Sequence, residues 1–187
     1  MRGFLDEGCD GPKTLMDTAL DIQIAPEVIG APSARSLQAS LESCLAALAR
    51  VIPNDSKQKL SQGICLRLCA ETESRDLNRT YRGKDKPTNV LSFGTQETSG
   101  PLLDMPAQEL PLGDLALCWP VAVEEAQRQS KELDHHVSHL FLHGVLHLLG
   151  FDHEGAEEAE TMEQIEIQAL GLLDIADPYI EGGEKGT

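Results

Sequence analysis

All six histidines of the chain lie between residues 135 and 153, and three of them fall in the stretch "HGVLHLLGFDHE", residues 143 to 154. His143 and His147 stand four residues apart, so on a helix they occupy one face, one turn apart, and both can reach a single ion. Gly150 follows the last apolar turn and can end the helix in a left-handed conformation, which lets the chain reverse and bring His153 back beside the pair. Neutral imidazoles suit Zn, Ni, Cu and Fe, and three protein ligands with one open position are the catalytic form of a zinc site. His135 and His139 continue the same four-residue spacing but cannot join that ion, because His139 and His147 are ~12 Å apart along a helix axis. His135 and His136 read as exposed or helix-start residues, and His139 as a support for the site or a group on its substrate side. Asp152 and Glu154 are natural acceptors for the remaining ring N–H groups.

The spacing HxxxHxxGxxH is that of the metzincin peptidases, but Gly144 stands where those enzymes carry the glutamate that deprotonates the attacking water. Without that base a peptide amine leaves poorly. Phosphodiester cleavage asks less of a side-chain base and more of cations around the phosphorane oxygens. The segment "ESRDLNRTYRGKDKPTNVLSF", residues 73 to 93, supplies them. Arg75, Arg79 and Arg82 share one helix face; Arg75 and Arg79 have Glu71, Asp76 and Asp85 nearby as partners. Arg82 precedes a turn into a buried strand, so we assign it to substrate phosphate, with Lys84 and Lys86 of the same turn holding the backbone of the strand. His139 completes the expected substrate-binding set, and Arg82 and His143 form the expected catalytic pair.

Charge supports a local cationic site and no broad one. The chain carries 15 basic and 31 acidic side chains, a net charge of -16. Residues 1 to 86 hold 12 of each sign, whereas residues 87 to 187 hold 3 basic and 19 acidic, so the whole excess lies in the second part. No apolar run approaches the ~20 residues that span a bilayer, and the N-terminus has acids and glycines where an export signal is apolar. A cytoplasmic protein is expected. Five cysteines without a CxxC pair fit free buried thiols.

The elements that must position these residues follow from periodicity. "TALDIQIAP", "GICLRLCA", "PTNVLSFG" and "LGDLALCW" read as strands, and "SARSLQASLESCLAALARVI" as an amphipathic helix capped by Ser33 or Ser36. "ETESRDLNRTYR" reads as a helix capped by Thr72 or Ser74, "VAVEEAQRQ" and "ELDHHVSHLFLHGVLHLL" as two more, and Glu157 to Leu170 as an acidic one. The stretch from Thr95 to Pro111 reads as a loop. The fold class is α+β: a mixed four-stranded sheet covered by helices, with the metal site on a central helix. Residues 1–17 are expected to be a disordered extension, 18–180 one domain and 181–187 a disordered tail.

Together, "LNRTYRGKDKPTNVLSF", "LGDLALC", "HLFLHGVLHLLGFDHE" and "IEIQALGLLDIADPY" closely resemble the YbeY family of bacterial endoribonucleases, the ribosomal RNA maturation factors. The resemblance covers roughly residues 60 to 180. It implies a zinc-dependent, single-strand-specific endoribonuclease acting on RNA rather than DNA, in 3′-end maturation of the small-subunit (16S) rRNA and in ribosome quality control. It also implies one zinc per chain at His143, His147 and His153, a functional arginine at Arg82, and work alongside ribosomal proteins and a ribosome-associated GTPase. Two other readings fit the residues: a metallopeptidase or other metallohydrolase with Asp152 or Glu154 as its base, and a non-catalytic assembly factor stabilised by zinc.

Overall fold

The computed structural model describes residues 20–95, 110–152 and 155–180. The expected terminal extension and tail, most of the expected loop, His153 and Glu154 lie outside the described residues. Ten elements follow one another: β1 (Leu20–Ile24), α1 (Ala34–Val51), α2 (Asn54–Leu60), β2 (Ile64–Cys69), α3 (Glu71–Arg82), β3 (Val90–Gly94), β4 (Gly113–Cys118), α4 (Trp119–Arg128), α5 (Leu133–Leu149) and α6 (Ala156–Gly171). The strands form one mixed sheet in the order β1-β2-β4-β3. β1, β2 and β4 run parallel, and β3 lies antiparallel to β4 with Ser92 opposite Leu115, so β3 is an edge strand.

Alternation in the strands decides which side of the sheet carries the core. Leu66, Leu68, Leu115 and Leu117 are fully buried with Leu41 and Leu48 of α1, Phe141, Leu142 and Leu146 of α5, and Met162 and Leu170 of α6. Each such side chain contributes about 2 kcal/mol through burial. On the other side, Cys69, Leu91, Ala116 and Cys118 form a smaller cluster with Leu77 of α3 and Val121 of α4. Cys44, Cys65, Cys69 and Cys118 are free thiols, all but Cys65 buried.

Three local expectations change. α2 was not read from sequence, because "NDSKQKL" is polar and buries only Leu60. α4 starts two residues early, at Trp119, where Pro120 sits at a position whose missing N–H costs nothing. α3 has no side-chain cap: it starts after Ala70, and Thr72 and Ser74 lie inside it. Ser33, by contrast, caps α1 by accepting from the Ser36 backbone N–H.

α5 lies at the centre of the packing, touching α1, α2, α4, α6, β3 and β4. Gly144 is what lets it lie close to the sheet. A Cβ there would meet Leu115 Cδ2 at 2.9 Å and Val90 Cγ2 at 3.3 Å, and the Gly144 carbonyl accepts a hydrogen bond from Ser92 Oγ at 3.1 Å. The helix ends at Gly150, with φ of 95°, where Gly150 N–H donates to His147 O and Phe151 N–H to Leu146 O. The helix therefore stops at Gly150, the glycine at which the sequence places its end.

Candidate metal centre and cationic cleft

α5 presents His143 and His147 on one face, with their Nε2 atoms 3.2 Å apart. Two ligand atoms at ~2 Å from a tetrahedral ion stand about 3.3 Å apart, so the pair has the separation of two ligands of one zinc. The other nitrogen of His143 fixes its tautomer. Nδ1 lies 2.9 Å from Glu166 Oε1, and a carboxylate there takes the ring proton on Nδ1 and leaves Nε2 bare, facing its neighbour. A cation between the two Nε2 atoms fits this donor set. His153, the third expected ligand, is outside the described residues, and the Asp152 expected beside it lines the cleft described below.

Glu166, on α6, is fully buried. Among the described residues its partners are two imidazoles and a phenol: His143 on Oε1, and His139 Nε2 at 3.1 Å together with the Tyr179 hydroxyl on Oε2. Burial pushes its carboxyl upward, but the hydrogen bonds from His139, His143 and Tyr179 outweigh that and hold it at about 2. A buried carboxylate held by imidazole and phenol donors is further favoured by positive charge nearby, which an ion on the far side of the His143 ring would supply. His139, His143 and Glu166 also bring three potential ligand atoms within 4.8 Å of one another. Their 2.9 and 3.1 Å separations are those of hydrogen bonds and Tyr179 occupies Glu166 further, so we assign this trio to supporting the His143–His147 pair.

Sequence reasoning missed Glu166, although a signal was present. Met162, Ile165, Ala169 and Leu170 form the buried stripe of α6, and Glu166 sits within it. A carboxylate at a core position of an amphipathic helix is held by donors there. His139, read from sequence as a support for the site or a group on its substrate side, turns its Nε2 to Glu166. His136, read as an exposed or helix-start residue, lies in the first turn of α5, where it is 4 % exposed and bonds Glu125 at 3.0 Å; burial pushes its imidazole below the ordinary value.

His143 and His147 lie in a cleft of about 1160 Å³. One wall carries Arg82, Lys84 and Lys86; the β3 edge contributes Val90, Ser92 and Gly94; and α2 contributes Gln58 and Lys59 opposite. Four cationic side chains thus face the cleft against two acidic ones, Asp55 and Asp152. The three arginines of α3 part ways. Arg75 pairs with Asp85 at 2.7 Å and Arg79 with Asp76 at 2.7 Å, the pairing expected of a solvated helix face. Arg75 holds the Asp85 carboxyl below its ordinary value. Arg82 instead reaches the β3 edge, donating from Nη2 to the Ser92 carbonyl at 3.4 Å.

The turn bearing the lysines is anchored by α3 itself. Gly83, with φ of 69°, ends the helix in the left-handed region. Ser74 Oγ then donates to Thr88 O at 2.8 Å and accepts from Thr88 N–H, while Asn78 Nδ2 donates to Lys86 O at 2.8 Å. Asn89 closes the far end, accepting from Val90 N–H and donating to Glu125, the carboxylate that also meets His136. With carbonyls held inward by buried Ser74 and Asn78, the Lys84 and Lys86 side chains stay exposed on the cleft rim.

The family model for endoribonuclease YbeY matches residues 30–174. The endoribonuclease YbeY of Chromohalobacter salexigens is 43 % identical over 166 residues, spanning 89 % of this chain and 100 % of that protein. The solution structure of TM1509 from Thermotoga maritima is 22 % identical with a TM-score of 0.48, covering 85 % of this chain and 99 % of that one. With a family model over most of its length and a relative matched from end to end, the chain belongs to the YbeY endoribonuclease family.

Proposed function

We propose that the protein is a zinc-dependent, single-strand-specific endoribonuclease that acts in 3′-end maturation of small-subunit rRNA and in ribosome quality control, in a soluble cytoplasmic setting. The observation that carries this reading is the convergence of two imidazole Nε2 atoms, 3.2 Å apart, in a cleft whose rim bears Arg82, Lys84 and Lys86. The matched family and the Chromohalobacter relative are named endoribonuclease, and no helix among the described residues is long and apolar enough to cross a membrane.

His143, His147 and His153 would hold the zinc, one per chain. When bound it supplies a Lewis acid that polarises a phosphoryl oxygen. Arg82, which lines the same cleft, would neutralise charge developing on the non-bridging oxygens, and removal of such a donor costs on the order of 10²–10³ in rate. Lys84 and Lys86 hold the phosphates of the flanking nucleotides, as in other electrostatic grooves for single strands. Glu166 and His139 keep the His143 ring oriented with its proton on Nδ1. The acidic second part of the chain suits basic partners such as ribosomal proteins, and a ribosome-associated GTPase remains the family's expected companion.

A peptidase reading is weaker on one observation: the position of the peptidase glutamate, Gly144, is packed against Leu115 and Val90. The deciding experiment is cleavage of a single-stranded RNA by the purified protein, by a His143→Ala/His147→Ala variant and after chelation. Loss in both treatments, with metal content falling from one zinc per chain to none, is the expected result. Full activity of the double variant would refute the metal mechanism, and rRNA maturation restored in cells by that variant would favour an assembly role.

A further inference from the structure

Beyond α6 the chain does not simply trail away. Leu173 and Ile175 N–H both return to the Leu170 carbonyl, and Asp174 adopts a left-handed conformation with φ of 58°, which turns the segment back towards α5. Lys131, just ahead of α5, donates from Nζ to the Pro178 carbonyl at 2.7 Å and pins the returning strand of chain. Tyr179 then sits edge-on to the His139 ring, centroids 5.6 Å apart, with its hydroxyl on Glu166 Oε2.

This arrangement divides the carboxylate. Tyr179 and His139 both donate to Oε2, which leaves Oε1 to His143 Nδ1 at 2.9 Å. A carboxylate held at one oxygen by two donors cannot rotate, so the direction of the other oxygen, and with it the plane of the His143 ring, is fixed. We infer that Tyr179 is a positioning residue of the metal centre, acting through Glu166 on His143, and that the segment 172–180 is a working part of the site. The inference rests on the metal reading above.

Tyr179→Phe keeps the ring against His139 and removes only the hydroxyl. Zinc affinity, measured by competition with a chromophoric chelator, is expected to weaken about 10–100-fold, the usual consequence of removing a partner behind a metal ligand. Far-UV circular dichroism of the metal-free variant is expected to match that of the wild type. Lys131→Met, which leaves the phenol in place but releases Pro178, is expected to weaken zinc binding in the same direction and by less. A Tyr179→Phe protein that melts earlier yet binds zinc within about twofold of wild type would overturn the inference, since the phenol would then only stabilise the fold. Wild-type protein that takes up no zinc would overturn the metal reading itself, a result distinct from equal binding by both forms.

Discussion

Restoring the peptidase signature by Gly144→Glu is a sharp test, because sequence and structure expect opposite things of it. In the sequence the change completes HExxH, and a gain of peptidase activity is the natural expectation. In the structure the new Cβ would stand 2.9 Å from Leu115 Cδ2 and 3.3 Å from both Leu115 Cδ1 and Val90 Cγ2, with Leu115 only 1 % exposed. Overpacking of this kind costs about 2 kcal/mol. Forcing a carboxyl group between helix and sheet without a partner costs about 2 kcal/mol more, and the better helix propensity of glutamate returns only about 0.6 kcal/mol. A net loss of about 3 kcal/mol lowers the melting temperature by about 6–12 °C in a protein of this size. Gly144→Ala separates the steric part and should lose about 1 kcal/mol. Thermal unfolding with and without zinc, together with a fluorogenic peptide assay, reads both effects. A glutamate variant that melts within about 1 °C of wild type and cleaves peptide with zinc would show that residue 144 opens on the cleft, and the packing account of Gly144 would fall.

Arg82→Ala is expected to lower kcat/KM on single-stranded RNA by about 10²-fold, with Arg82→Lys recovering part of the loss because lysine cannot make the bidentate contact; equal rates for all three proteins would remove Arg82 from the reaction. Lys84→Ala and Lys86→Ala should each reduce the slope of log affinity against log salt by about 0.7, which binding titrations over a range of salt concentrations would detect, while a slope unchanged in both argues against phosphate contacts there. Asn78→Ala removes the buried amide that donates to the Lys86 carbonyl and should cost about 0.5–1.5 kcal/mol in urea unfolding. A stability unchanged from wild type would mean that water replaces the amide.

The sheet and most helices were legible because their alternation and helical spacing are carried by apolar residues that are in fact buried, as in "GICLRLCA" and "HLFLHGVLHLL". α2 was not, since six polar residues and the single apolar Leu60 give no periodic signal. In the site, the four-residue histidine spacing and the glycine stop were readable from local geometry alone. Glu166 and Tyr179 were not, because their roles depend on α6 and the returning segment meeting α5, contacts 23 and 13 residues apart along the chain for His143–Glu166 and Glu166–Tyr179. The packing role of Gly144 was not legible for the same reason: along its own helix it is only a missing glutamate, and the position of β3 and β4 is what sets Leu115 and Val90 against it.

The distribution of charge around the cleft explains how so acidic a chain can hold RNA. Of the three arginines on α3, two are neutralised within the helix and its turn by Asp76 and Asp85. The third projects to the β3 edge, and Lys84, Lys86 and Lys59 share its cleft. At physiological salt the field of remote acidic groups is screened over ~8 Å, so a phosphate in the cleft experiences the nearby cations more than the net charge of the chain. On the proposed reading, uncompensated acids away from the cleft would repel nucleic acid and so restrict productive binding to the face where His143 and His147 stand. Asp76→Asn with Asp85→Asn should therefore strengthen overall RNA binding while lowering the fraction cleaved per bound strand, because Arg75 and Arg79 would then offer phosphate contacts outside the cleft. Tighter binding with an undiminished cleavage fraction would mean that the two aspartates merely weaken binding and do not direct it.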